Sequence, residues 1–441
     1  MDCSQTYSNS TYYKSICCIE ALGVVLTKPR KLSLAFFIAK RIAFTKQRSF
    51  ARFIIRLSVI ATAVSVMSMI ATLAFVNGFQ QTVSSKVFSF WGHIRVQKFE
   101  PNKSLVAEET PIKKSPKIES ILRSEPGVVQ VQTFATKSAI IEKNKEIEGV
   151  LLKGIEKGYD SVQLKPFIRQ GRWLQFVDSG YTKEILVSEQ LSKQLNITLG
   201  DSIRIYFISS NNGSRNYRKL AVVGIFKTGI EEYDKLFVLG DQQLIRLMGN
   251  WASDETGGYE IFVKDYHQMD QISAVLSDRL PAEWMSKTIR EIHPNIFDWL
   301  NIQDVNRNVI FIVMAIVAII NLITCLLILI LERTRMVGIL KALGADNWLI
   351  QKLFLYHATV ITFAGIGIGL IAGLGLCLLQ QYTGFIKLDE SAYYVAEAPI
   401  HIIWWEVLAV CAATTLVCYL SLIIPTLVIR KIQPTKAIQF R

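Results

Sequence analysis

NVIFIVMAIVAIINLITCLLILIL, residues 308–331, is 24 residues long and carries no charge. A bilayer core about 30 Å thick is crossed by roughly 20 apolar helical residues. The run is far longer than an ordinary buried strand, so it predicts a membrane-spanning helix. Three further stretches have the same character. Leu57 to Ser85 is 29 residues without a charge, Leu353 to Ile386 is 34 with His357 neutral, and Val407 to Ile429 is 23. One such run fits the core of a soluble enzyme; four do not. Composition agrees: of 441 residues, 51% are hydrophobic and 19% charged.

Basic residues orient these spans. Lys28 to Arg56 carries nine Lys or Arg and no acid, while Glu332 to Lys352 and Arg430 to Arg441 carry four each. The segment from Gln380 to Glu397 has one, Lys387. Positive charge is retained on the cytoplasmic side, which puts both termini and the 332–352 loop inside. Outside lie a large segment, Asn77 to Asn308, and a short loop. The large segment is nearly neutral, with 30 Lys plus Arg against 28 Asp plus Glu. The net charge of +13 is therefore mainly a topology signal, and no nucleic-acid partner is expected.

The fold class expected is an α-helical membrane protein with four transmembrane helices and a large α+β periplasmic domain inserted between helices 1 and 2. Its parts are an N-terminal tail (1–31), a cytoplasmic amphipathic helix (32–52), a first span (53–76), the periplasmic domain (77–308) and a second span (309–331). A cytoplasmic helix and loop (332–352), a third span (353–379), an outer loop (380–402), a fourth span (403–429) and a cytoplasmic tail (430–441) follow. The tail 1–31 reads as disordered or as a misassigned start; adjacent Cys17 and Cys18 also allow lipid modification. None of the seven cysteines falls in the outer segment, which must fold without disulfides and is long enough to build its own core. Strands are expected at Val128–Thr133, Ser138–Glu142, Glu184–Ser188, Ser202–Phe207, Lys219–Phe226, Leu236–Leu239 and Tyr259–Lys264. Helices are expected at Ser115–Ser124, Ser188–Leu195, Gln268–Leu280 and Ile289–Leu300, and Asn212-Gly213 marks a hairpin tip.

Catalytic signatures are missing from the sequence. It has no Gly-x-x-x-x-Gly-Lys-Ser/Thr phosphate loop and no Gly-x-Ser-x-Gly elbow, and its five histidines lack metal-ligand spacing. The chain is expected to be no enzyme and to hold no cofactor or metal of its own. After the second span, Glu332 to Ala345 reads ERTRMVGILKALGA. Met336, Ile339, Leu340 and Leu343 form an apolar face at helical spacing, and Gly344 suits the helix end. Such a face on the inner surface calls for a covering partner. In the third span Gly365, Gly369 and Gly373 repeat every four residues, which suits close helix packing either within the chain or against another subunit. Asn321 suits a helix–helix hydrogen bond within the membrane.

The 332–345 stretch resembles the cytoplasmic signature of the FtsX-like ABC transporter permeases. Within that family the chain is similar to the lipoprotein-releasing permeases, the LolC and LolE type. Asn77-Gly-Phe79, His93-Ile94, Gly224-Ile-Phe and Gly229-Ile-Glu-Glu-Tyr-Asp234 follow the pattern in order. Phe297-Asp-Trp-Leu300, Tyr393-Tyr-Val, Pro399, Pro425, Pro434 and the terminal Ala437-Ile-Gln-Phe-Arg441 continue it. The resemblance covers Leu32 to Arg441. It implies cytoplasmic ATPase subunits that bind ATP and Mg, a second permease copy or homologue, a lipoprotein substrate, a periplasmic carrier and an inner-membrane location. It implies that Arg333, Arg335, Met336, Ile339, Leu340, Lys341, Leu343 and Gly344 couple to the ATPase. It further implies acyl chains near Val64, Met67, Ile70 and Ala71 on the first span and Ile316, Ile320 and Ile323 on the second, although these side chains suit lipid-facing packing equally well. Two alternative readings stand beside it: a MacB-type efflux permease, which shares the four-span plan, and a non-transporting signalling permease that controls cell-wall hydrolases.

Overall fold

The computed structural model describes residues 50–101, 108–207 and 216–421. The 1–31 tail, most of the 32–52 helix, the Asn212-Gly213 turn, the end of the last apolar run and the 430–441 tail lie outside the described residues. Helix α1 (Phe50–Trp91) leads into β1 (Ile94–Lys98), β2 (Ile112–Lys113), α2 (Pro116–Ser124), β3 (Val128–Lys143), β4 (Glu146–Ile155), β5 (Ile168–Gly171) and β6 (Glu184–Ser188). Then come α3 (Glu189–Gln194), β7 (Ser202–Phe207), β8 (Asn216–Phe226), α4 (Glu231–Leu236), β9 (Phe237–Asp241), α5 (Gln242–Gly249), β10 (Glu255–Thr256) and β11 (Gly258–Val263). They are followed by α6 (Met269–Arg279), β12 (Trp284–Thr288), α7 (Ile289–Ile292), α8 (Pro294–Glu332), α9 (Thr334–Ala342), α10 (Asn347–Thr383), α11 (Glu390–Tyr393) and α12 (Trp404–Ser421). Among the described residues, α1, α8 and α10 are long and apolar enough to cross a membrane, and α12 is a shorter apolar helix.

Helix α1 does not stop at Asn77. Phe79, Val83, Val87 and Trp91 are buried at four-residue spacing, so an apolar stripe carries the helix past the first apolar run to a new partner. The boundary expected at residue 76 thus falls inside one continuous helix. Likewise α8 begins at Pro294, well before residue 309. The helix expected at Ile289–Leu300 is two helices, α7 and α8, because Pro294 cannot continue the hydrogen-bonding of α7 and instead opens α8.

Two compact units make up the chain. The larger comprises Leu57–Asn321 and Thr362–Cys418, and the smaller includes Leu322–Ile361. In the larger unit ten strands form one sheet among the described residues, in the order β12-β1-β11-β3-β4-β9-β6-β8-β5, with β7 bonded to both β3 and β8. Following the pairs β3–β4–β9–β6–β8–β7 returns to β3, so six strands close into a ring. The two strands expected at 128–133 and 138–142 are one strand of 16 residues. Its first half pairs with β11 and its second half with β7, while β4 runs alongside from Phe134 to Lys143. Residues 134–137 therefore stay extended because partners hold them, not because their sequence alternates. Asn144 and Lys145, both at positive φ, make the two-residue turn between β3 and β4.

Alternation sorts the ring into two cores. Ile141, Leu152, Val187, Ile205, Val222 and Val238 belong to one cluster, completed by Leu191 of α3 and Leu244 of α5. Their neighbours Leu151, Leu186, Phe226, Phe237 and Leu239 belong to another, shared with Phe90 and Trp91 of α1 and Ile296, Phe297 and Leu300 of α8. The ends of two long helices are thus part of the strand-ring domain's own core.

Candidate functional site

Several of the motifs scattered along the sequence meet at one junction in the larger unit. Phe79 packs edge-on against Trp299 at 4.9 Å, and Trp299 meets Tyr394 edge-on at 5.5 Å. Gln80 Nε2 donates to the Leu300 carbonyl at 3.2 Å, and the His401 amide donates to the Ala74 carbonyl at 2.9 Å. Gly78 must lack a side chain: a Cβ there would sit 2.7 Å from the Pro399 carbonyl carbon and 2.8 Å from the His401 nitrogen. Asn77 Nδ2 donates to Glu406. Asn77-Gly-Phe79, Phe297 to Leu300, Tyr393-Tyr-Val and Pro399 are therefore neighbours in space.

The Gly229–Asp234 stretch completes the same junction. Gly229 has φ +75, and a Cβ there would lie 2.5 Å from Lys86 Nζ. The Asp234 carboxylate accepts from the Thr228 amide and hydroxyl, each at 2.9 Å, and from the Gly229 amide at 3.0 Å. Burial raises the Asp234 pKa although these bonds oppose the shift. Lys86 Nζ donates to the Tyr394 carbonyl at 2.7 Å and lies 3.9 Å from Glu390, whose carboxylate also pairs with Lys227. Burial lowers the Lys86 pKa, with Glu390 opposing. Lys86 and Glu390 escaped the sequence reading. Lys86 does carry a signal, as the first charge after Leu57–Ser85, where α1 leaves its apolar run.

Behind the junction the domain holds two buried ion pairs. Lys153 Nζ reaches Glu260 at 2.6 Å, with both side chains fully buried. Lys153 also donates to the Phe90 carbonyl at the end of α1 and lies 4.4 Å from the Trp91 ring centroid. Tyr159 donates to the second Glu260 oxygen at 3.0 Å. Arg95 pairs with Glu109 at 2.6 Å and lies 4.7 Å from the same Trp91 ring. In so dry a place both acids and bases need partners, and here each carboxylate has one.

The second candidate lies in the smaller unit. Helix α9 ends at a left-handed Gly344, φ +87. The Ala345 amide donates to the Leu340 carbonyl at 2.9 Å, and the Gly344 amide donates to the Lys341 carbonyl at 3.0 Å. This is a Schellman motif, with glycine where a Cβ is penalised. The apolar face divides. Val337 is buried among Leu329, Ile330, Ile350 and Phe354, and Leu340 packs against that cluster. Ile339 and Leu343 face outward, at 47% and 79% exposure. Met336 and Lys341 are intermediate, as is Arg333, while Arg335 is exposed. Sequence reading grouped Leu340 with the outward pair and omitted Val337; only the packing partners separate them.

Along α10, a Cβ at Gly365 would lie 2.7 Å from Thr62 Cβ, at Gly369 2.6 Å from the Ala63 carbonyl oxygen, and at Gly373 3.3 Å from Ile70 Cβ. The glycines seat α10 against α1. Asn321 Nδ2 donates to the Ser58 carbonyl at 3.0 Å, joining α8 to α1. Ile70 is consequently buried and Met67 lies beside Gly373. Val64, Ile316 and Ile320 are exposed, and Ala71 and Ile323 are intermediate. The seven residues do not form one surface. Among the described residues no group of His, Cys, Asp and Glu has metal-binding geometry.

Two family models match successive parts of the chain. The model for the MacB-like periplasmic core domain matches residues 57–278, and that for the FtsX-like permease C-terminal region matches 308–434. The lipoprotein-releasing system transmembrane protein LolE of Haemophilus influenzae is 23% identical over 428 residues, covering 92% of this chain and 99% of the relative. LolC of Xylella fastidiosa is 19% identical over 424 residues, covering 93% and 98%.

Proposed function

Because the chain belongs to the FtsX-like permeases that carry a MacB-like periplasmic core domain, we propose that it is a membrane subunit of an ABC-type export complex that releases lipoproteins toward a periplasmic carrier. The observation that carries this reading is similarity to LolE and LolC along nearly the whole chain. In this reading α12, continued by the apolar residues up to 429, supplies a fourth span. Both termini and α9 are cytoplasmic, and the ring-containing domain is periplasmic.

Release of an acylated protein is an uphill step. Each acyl CH2 moved from lipid to water costs about 0.8 kcal/mol, so several long chains do not leave unaided. The chain has no nucleotide loop; ATP and Mg belong to a partner ATPase, and the work must enter through the cytoplasmic surface. Ile339 and Leu343, with Met336 beside them, fill a groove on that ATPase, while Arg333, Arg335 and Lys341 orient α9 at its acidic rim. Val64, Ile316 and Ile320 remain free to meet an acyl chain, and Met67 and Ile70 are occupied by α10. The junction around Gly229 and Lys86 then ties the helices to the domain that receives cargo.

The MacB-like core domain also supports a second reading, an efflux permease. Purification in detergent separates the two. Lipoprotein and an ATPase bound to the purified chain, together with inner-membrane retention of lipoproteins on depletion, support release. An ATPase with a periplasmic efflux duct and no lipoprotein supports efflux.

A further inference from the structure

The loop between α10 and α12 holds its own shape. Gln380, in the last turn of α10, clasps it. Its side-chain oxygen accepts from the Ile386 amide at 2.9 Å, and its Nε2 donates to the Ile386 and Ala398 carbonyls at 3.2 and 3.1 Å. The Leu388 amide donates to the Ala396 carbonyl at 2.9 Å, and the Ala398 amide donates to the Ile386 carbonyl at 3.0 Å. These bonds join residues 380–398 to one another and not to α1 or the strand ring, so the loop can keep its fold if its seat is lost.

A different set of contacts seats it. Glu390 stands between two cations, Lys86 of α1 at 3.9 Å and Lys227 just past β8. Gly229 makes room for that carboxylate, since a Cβ there would collide with it. Lys86 also donates to the Tyr394 carbonyl, and the Tyr394 hydroxyl donates to Glu232 of α4 at 3.3 Å. Tyr394 has φ +60, a conformation that a non-glycine residue keeps only where its surroundings hold it. Val395 supplies the buried apolar contact, in the core shared with α1. The three charged side chains of the latch are only partly buried, and ion pairs that water can reach contribute little each. We propose that residues 386–398 form a strap that leaves and regains its seat on α1 and the domain as one piece, latched by Glu390. Closed, the strap ties α1 and the domain to α10 and α12. Open, the loop's link to α1 shrinks to the contacts at Gly78, where the His401 amide bonds the Ala74 carbonyl. The strap is a property of the chain itself and does not depend on its export role.

Cysteine labelling of the full chain in detergent tests this. Cys3, Cys17 and Cys18 are replaced by serine, and one reporter is added, either Val395→Cys in the strap or Leu174→Cys in the domain. Val395 and Leu174 are each 4% exposed and belong to the same apolar cluster, so a rigid structure shields them alike. Labelling by a charged maleimide, corrected for the chain without a reporter, reads how often each is uncovered. Position 395 is expected to label severalfold faster than 174. Glu390→Gln and Lys227→Met are each expected to speed labelling at 395 by up to about fivefold, the worth of a partly exposed ion pair, and to leave 174 unchanged. Equal rates at the two positions overturn the proposal, as does an unchanged rate at 395 in both variants. A parallel rise at 174 also overturns it, because the domain as a whole has then loosened.

Discussion

Replacing Lys153 by methionine tests how the domain holds the end of α1. The substitution removes an ammonium from a pair in which both side chains are fully buried. Glu260 keeps the Tyr159 hydroxyl as a donor, the Phe90 carbonyl loses its Lys153 donor, and the cation over Trp91 disappears. Breaking a buried pair from one side costs about 3–5 kcal/mol, because a charge is left unpaired. For a unit of this size each kcal/mol moves the melting temperature by about 2–4 °C, so Lys153→Met is expected to melt on the order of 10 °C lower. Adding Glu260→Met removes the stranded carboxylate and should restore part of the loss, with the Phe90 carbonyl and the Tyr159 hydroxyl left unmet at about 1–3 kcal/mol each. Thermal unfolding of the full chain in detergent, followed by tryptophan fluorescence, reads both. A single variant that melts within about 2 °C of the parent, or a double variant less stable than the single, refutes the argument.

Burial holds the pKa of both His93 and His293 at about 4, against 6.5 for a free imidazole. The unfolded chain takes up protons as pH falls through 6.5, while the folded chain does so only near 4. Stability is therefore full above about 6.5 and falls toward pH 4 by roughly 3 kcal/mol per histidine; melting curves across that range should be flatter for His93→Gln and His293→Gln, and parallel curves contradict this. Ile339→Asp and Leu343→Asp should weaken ATPase copurification at least about a hundredfold, or about 3 kcal/mol, at unchanged membrane abundance. Leu340→Asp should lower abundance itself, because Leu340 packs inward; a loss of ATPase from Leu340→Asp alone would reverse the assignment of faces. Gly369→Leu should lower folded yield, since its Cβ meets the Ala63 backbone, whereas Gly344→Asn should be tolerated better than Gly344→Val, as measured by detergent-stable monodisperse protein.

The apolar runs were legible because membrane crossing imposes a length on composition that little else does. The stop of α9 at Gly344 was legible for a similarly local reason. Strand β4 was not: it begins Glu-Ile-Glu-Gly, and its apolar half, Val150 to Leu152, shows no alternation because both faces are covered by separate cores. Ring closure depends on pairs such as Ala139 with Phe207, and no local pattern reports such a pairing. The junction around Gly78 and Gly229 is legible only motif by motif. That Gly78 faces Pro399 and Gly229 faces Glu390 follows only from the return of the 384–403 loop, which brings distant positions together.

Helix α1 contains no proline, and Gly78, its one glycine, is pressed against the Pro399–His401 backbone. Sharp bends in helices arise at prolines, at glycine or serine pairs, or where a group wedges into the backbone ladder; the serine pair in this segment, Ser84-Ser85, lies within the unbroken helix Phe50–Trp91, and the segment ends not in a loose loop but under the buried Lys153. The segment from Asn77 to Trp91 therefore behaves as the shank of a key whose bit is the strand ring. On the reading of this chain as a permease, a turn of the shank is expected to carry the bit with it.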